Sequence, residues 1–242
     1  MLHSDRRYFG AMSPSTAMTL VTSPATSSSS AAMDVLAPLR WPDDLRFTPE
    51  QFERICSANP ESVLELSADG ELITMTPTGG DTSVRNSRLL MRLLVWADQQ
   101  GGWTVLDSSG GFRLPDGAIL SPDAALVRLE RWQALTAEQR HGFPPLCPDL
   151  VVELASPSDE GSRGVSALRR KMAAYQANGA RLGWLLLPDE RAVEIWPASG
   201  DPQRQEQATP LEAGPEFPGL RLDLEEIWAA GSASQVNPSL GC

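Results

Sequence analysis

Chemistry in this chain must rest on carboxylates and amines, because the common alternatives are nearly absent. Only two histidines occur, His3 and His141, which excludes a histidine metal site and most histidine general-base chemistry. The three cysteines, Cys56, Cys147 and Cys242, match no zinc spacing and are too few for a disulfide framework. Ser156 and Ser158 have no histidine or lysine close in sequence, which argues against a serine hydrolase. Two carboxylates stand out instead. Glu153 is the one charged residue in the apolar run from Leu150 to Ala155, and Asp123, in Ser121-Pro122-Asp123, opens a second run, Ala124 to Val127. Burying even a neutral polar group unpaired costs roughly 2–7 kcal/mol, and a charge costs more, so Glu153 requires a partner. If the two runs are neighbouring strands, their carboxylates repel and a cation is the simple answer. Mg²⁺ suits that role, since it takes one or two carboxylates and completes its shell with waters and phosphate oxygens. Lys171, on the helix that follows, could then position or activate a water and steady negative charge developing at phosphorus.

Neighbouring residues have plainer readings. Asp149, after Pro148, reads as a strand-start cap and Tyr175 as core. Lys171 flanks the Val165–Leu168–Met172–Tyr175 stripe on one side and Arg169 flanks it on the other, so helical spacing alone lets either turn inward.

The elements that must position these groups are legible. Thr48-Pro49-Glu50-Gln51 starts a short helix, with threonine as cap and proline in the first turn. Val63–Leu66 and Leu72–Met75 form a hairpin around Asp69-Gly70. Asp81, Thr82 or Ser83 caps a long helix running to about Gln100, closed by Gly101-Gly102. A strand follows at Trp103–Leu106, then another at Ala118–Val127. Thr136-Ala137-Glu138-Gln139 is a second capping box. Asp149–Ala155 is apolar enough to be buried on both faces, and the Lys171 helix leads to a second such strand, Leu182–Leu187. Pro188–Arg191 turns it into Ala192–Trp196. A strand near Arg221 and a short helix ending near Trp228 complete the pattern.

The chain has 242 residues, 20 Lys+Arg against 31 Asp+Glu, and a net charge of −11. With 41 % hydrophobic and 21 % charged residues it falls in the ordinary globular range, which excludes collagen-like, coiled-coil and wholly disordered chains. No apolar run approaches the ~18–20 residues that span a bilayer. The acid excess argues against passive nucleic-acid coating but not against an enzyme that meets nucleic acid through a few residues and metal ions. Residues 1–33 are rich in Ser, Thr and Pro without periodicity and read as a disordered tail, with Met33 as an alternative start. Ala17–Val21 is too short for a secretory signal, so the expected location is cytoplasmic. The tail from Gly231 is expected to fray. This leaves one domain, 34–230, between tails 1–33 and 231–242.

Several stretches, taken together and in order, resemble the Uma-type restriction endonuclease family of the PD-(D/E)xK nuclease superfamily. They are Gly111–Gly117, Ser121-Pro122-Asp123, Cys147–Glu153, Ser156–Asp159, Lys171-Met172 and Asn178–Trp184, within roughly Pro49 to Trp228. The resemblance implies a mixed α/β, restriction-endonuclease-like core. A central sheet of mostly four strands would be flanked by helices, with an extra N-terminal hairpin. It also implies endonuclease cleavage of DNA dependent on Mg²⁺, with Mn²⁺ able to substitute, no membrane partner, and a homodimer as an allowed assembly. By the same resemblance Asp123 and Glu153 are metal ligands, and Glu65 is a further acidic residue of the site. The superfamily's lysine would stand at Ala155; its place is taken by Lys171. Relatives often carry a histidine where this chain has Asp81. The alternative, favoured by Ala155 and by the net charge, is a silent nuclease fold that binds nucleic acid or protein.

Residues 1–33 have no apolar face with which to offset ~1–2 kcal/mol per residue of backbone ordering. Deleting them is expected to leave the melting temperature unchanged within a degree or so; a large loss would reveal a docked segment.

Overall fold

In the computed structural model, the residues described are 42, 44–75, 79–157 and 162–229. The two expected tails lie outside them. Helix α1 (Pro49–Ala58) begins as its sequence dictates, with the Thr48 and Gln51 side chains and backbones capping each other reciprocally. It packs Phe52 onto a hairpin of β1 (Leu64–Leu66) and β2 (Leu72–Thr74), whose register pairs Glu65 with Ile73. The hairpin turn needs glycine at Gly70: φ is +81° and a Cβ would lie 2.7 Å from the Phe47 carbonyl oxygen.

Helix α2 (Gly80–Gln100) starts earlier than its polar residues suggest. Gly79 is the N-cap, in extended conformation and with no side chain to cap with, and the first helical bond runs from the Ser83 N–H to the Gly79 carbonyl at 3.1 Å. Asp81, Thr82 and Ser83 are therefore inside the helix, and none of them is its cap.

The following strands are β3 (Trp103–Asp107), β4 (Phe112–Arg113), β5 (Ile119–Leu120) and β6 (Ala124–Arg128). The single strand expected at Ala118–Val127 is thus two strands in different sheets. Pro122 has no N–H to give a ladder, and Ser121-Pro122-Asp123 carries the chain from one sheet to the other. Two short helices, α3 (Leu129–Gln133) and α4 (Ala137–His141), lead to β7 (Leu150–Leu154). Helix α5 (Ser162–Ala177) then crosses over to β8 (Leu182–Leu187), the one parallel neighbour of β7 among the described strands. Strands β9 (Ala192–Pro197) and β10 (Gln203–Glu206) extend the sheet, and β11 (Leu211–Glu212), β12 (Arg221–Leu222) and α6 (Glu225–Trp228) close the described chain.

The main sheet has the order β10-β9-β8-β7-β6-β3. It has six strands where the resemblance implied about four, since β9 and β10 add to the β8 edge. The hairpin expected as an N-terminal addition joins β5 and β4 in a second sheet, ordered β2-β1-β5-β4. Helices cover the main sheet on both sides, which is why β7 and β8 are buried at every residue. Leu126, Leu150, Val152 and Leu154 pack toward Leu89 and Leu93 of α2. Their alternates Ala125, Val127 and Val151 pack toward Met172 and Tyr175 of α5. No described helix is long and apolar enough to cross a membrane.

Close approach of α5 to the sheet depends on Gly183 in β8. A Cβ there would meet the Met172 methyl at 2.4 Å and Trp196 Cβ at 3.2 Å. Gly183→Ala is expected to destabilise the protein by about 1–3 kcal/mol through overpacking, measured by urea unfolding. Because Met172 follows Lys171, displacing it also disturbs the lysine described next. Unchanged stability would mean that the helix yields without cost.

Candidate active site

Three separate segments deliver carboxylates to one place. Extending the Ala124–Val152 register by one step sets Asp123 opposite Glu153, on the α5 side of the sheet. Glu65 reaches the same place from β1, where it and Leu66 point to opposite faces and both are buried. The sequence left open whether Lys171 or Arg169 turns inward. Lys171 does, while Arg169 pairs with Glu194 at 2.5 Å and Arg170 is exposed.

The Lys171 Nζ lies 2.7 Å from Glu65 Oε1, 2.9 Å from Glu153 Oε1 and 2.7 Å from the Ser121 carbonyl oxygen. An ammonium has three protons, and three acceptors surround this one, although Glu153 Oε1 is out of line for a hydrogen bond. Glu65 Oε1 is fixed further by the Ser121 N–H at 2.8 Å. Asp123 is held from two sides: Oδ2 accepts the Leu154 N–H at 2.7 Å and Oδ1 accepts from the Asn86 amide at 3.3 Å. The sheet-switching tripeptide is thereby part of the site, with Ser121 binding through its backbone and Asp123 through its side chain.

Glu65 and Glu153 are each 2 % exposed. Burial drives the Glu153 carboxyl from an ordinary 4.5 up to about 8; Lys171 opposes the shift, while the charges of Asp123 and Glu65 add to it. Burial also works against the Lys171 ammonium, but Glu153 and Glu65 outweigh it, and its pKa is raised. The Tyr175 phenol, one turn beyond Lys171, is raised well above its usual value by burial and by the same carboxylates. Its fully buried hydroxyl has no hydrogen-bond partner among the described residues. Glu65 and Glu153 thus share one ammonium, and the Asp123 charge lies close enough to add to the Glu153 shift.

That crowding of carboxylates is the test of a metal. Among the described residues no three His, Cys, Asp or Glu side chains form a group able to hold an ion by themselves. Asp123 and Glu153 are two, and they suit a hard cation that takes its remaining ligands from water and substrate oxygens. The plainer readings hold nearby. Asp149 is structural: it accepts the Arg128 N–H at 2.9 Å and pairs with Arg131 at 2.8 Å. Burial pushes the Cys147 thiol up to about 12, which makes it inert. Asp81 is exposed in the first turn of α2, and Ala155 follows β7. The sequence reading missed Asn86. Its signal was a polar residue four positions after Thr82, on the helix face that later carries Leu89 and Leu93.

A mixed sheet flanked by helices, with acidic residues on its central strands and a lysine on the crossover helix beside them, is a restriction-endonuclease-like fold. Residues 49–226 match the family described as "Uma2: Putative restriction endonuclease", and the chain belongs to that family of nucleases. Among solved structures it resembles "a putative nuclease belonging to DUF820" from Anabaena variabilis, with a TM-score of 0.61 and 18 % identity, over 76 % of this chain and 98 % of that one. At that identity the likeness concerns the fold. No curated protein matches the chain.

The sign of the pH dependence follows from Glu153. The folded state holds this proton more tightly than the unfolded chain, so its contribution is full at acid pH and is lost as pH rises from 4.5 through about 8. Relative to Glu153→Gln, the metal-free protein is expected to lose on the order of a few kcal/mol between about pH 5 and about pH 8. Thermal melts of the two proteins should diverge across that window. Parallel curves would show that Glu153 does not titrate there.

Proposed function

We propose that this chain is a metal-dependent endonuclease that hydrolyses DNA phosphodiester bonds, with Asp123, Glu153, Lys171 and Glu65 as its working residues. The observation that carries the reading is the meeting of Glu65, Asp123, Glu153 and Lys171 from four elements that are distant in sequence. Asp123 and Glu153 would hold Mg²⁺, or Mn²⁺ in its place. When bound, the ion supplies Lewis-acid polarisation of the phosphoryl group and a water of lowered pKa. The protein's own part is preorganisation. The Leu154 N–H and Asn86 orient Asp123 so that its charge need not be reorganised during reaction. Lys171 keeps Glu153 and Glu65 together against their mutual repulsion and places positive charge beside the reacting phosphate. Ser121 aligns Glu65 through its N–H and Lys171 through its carbonyl.

Two observations favour the silent binding module: the acceptors around Lys171 match its protons in number, and Ala155 supplies no second lysine. A plasmid-nicking assay with Mg²⁺ or Mn²⁺, paired with thermal melts, separates the two readings. Wild type is expected to nick only with metal. Asp123→Asn and Glu153→Gln should each lower the rate by about 10³-fold or more, as loss of a principal electrostatic group does. Neither should lose stability without metal at about pH 8 and above, where each removes a like charge from a crowded site. Arg170→Ala, on the exposed face of α5, should nick normally. Absence of metal-dependent cleavage by wild type would favour the binding module, and full activity of Asp123→Asn would overturn the site.

A further inference from the structure

The inward face of α2 changes character along its length. Toward its C-terminus it is apolar and buried, with Leu89, Leu93, Trp96 and Ala97. In its first two turns the same face carries Thr82, Arg85 and Asn86, three and four residues apart. Asn86 is the residue that reaches Asp123. Each of the three also has a buried polar atom without a hydrogen-bond partner among the described residues: Thr82 Oγ1, Arg85 Nε and Asn86 Oδ1. Thr82 is only 1 % exposed. Buried polar atoms are overwhelmingly paired, and an unpaired one costs about 1–3 kcal/mol. Three within five residues, beside a candidate catalytic carboxylate, mark a surface shaped for a polar group from outside the chain.

Charge specifies that group. The Lys171 ammonium is committed to the reacting centre, between Glu65, Glu153 and the Ser121 carbonyl, so phosphates further along the backbone need another cation. Arg85 makes no ion pair or hydrogen bond among the described residues. A guanidinium with open donors is the side chain best suited to a phosphate, which it can grip with two parallel hydrogen bonds. The N-terminus of this 21-residue helix has no side-chain cap, so its first N–H groups and the positive end of its dipole add to the same field.

We propose that the first two turns of α2 form the subsite that holds the DNA phosphate backbone. Arg85 is its cation, Thr82 its hydroxyl donor, and Asn86 the link that fixes the subsite against Asp123. The amide oxygen of Asn86 is an acceptor and would take a bridging water, not a phosphate. The identity of the ligand rests on the nuclease reading above.

The test is fluorescence anisotropy of a labelled random-sequence duplex with the full chain, in EDTA and again in Ca²⁺, over a series of salt concentrations. Arg85→Ala is expected to weaken binding about tenfold or more and to reduce the slope of log K against log salt by about one. Thr82→Val should weaken it by a few fold, and Arg170→Ala should match wild type. If Arg85→Ala does not fold, Arg85→Met, which keeps the apolar stem, should show the same loss. Wild-type affinity and slope in either folded Arg85 variant, or no duplex binding by wild type, would overturn the subsite. The nicking assay keeps the two readings apart. Arg85-dependent binding without metal-dependent nicking leaves the subsite and removes the catalytic reading. Nicking with an unchanged KM in Arg85→Ala removes the subsite alone.

Discussion

The arrangement turns on one buried ammonium. Lys171 meets Glu65, Glu153 and the Ser121 carbonyl within 2.9 Å, and these groups come from β1, β7 and the switch between the two sheets. Two carboxylates that are each 2 % exposed would repel strongly in so dry a place. The lysine offsets that repulsion and ties the second sheet to the main one through α5. Such a contact is costly to assemble, because its charges leave water, and loss of the lysine would be costlier still, because two buried carboxylates would be left without their counter-charge. Its value lies in geometry more than in stability.

That geometry depends on features that look incidental in the chain. Pro122 interrupts one apolar run, so that Leu120 ends in one sheet and Ala124 begins in the other. The interruption leaves the Ser121 carbonyl free to accept from Lys171 and its N–H free to hold Glu65. Gly183 lets α5 lie close enough for Lys171 to reach inward. On the other flank of the helix, Arg169 finds Glu194, so the two basic residues bordering the stripe are sorted by the acidic partner each side provides. The same contrast in partners separates Asp149, tied to Arg131 and a backbone N–H, from Glu153, pushed up to about 8 by burial among other carboxylates.

Local signals had local causes and were readable in the sequence alone. The capping box of α1, the Asp69-Gly70 turn, and the doubly buried strands β7 and β8 need only neighbouring residues and hydrophobic period to be specified. The burial of Glu153 followed from its place in an apolar run, and that alone required a partner. Asp123 and Lys171 were candidates from their own places in the chain, and Glu65 came only with the resemblance carried by several motifs. What no local rule could decide was which residues meet. The division of the strand at Pro122 between two sheets, the six-strand width, and the contact of Asn86 with Asp123 all depend on segments tens of residues away. Periodicity says that a side chain lies on a face. Only packing of that face against another element determines whether a polar residue there meets a carboxylate, a lysine or solvent, because pairing energies in a buried site depend on distances that the chain sets only when it closes on itself.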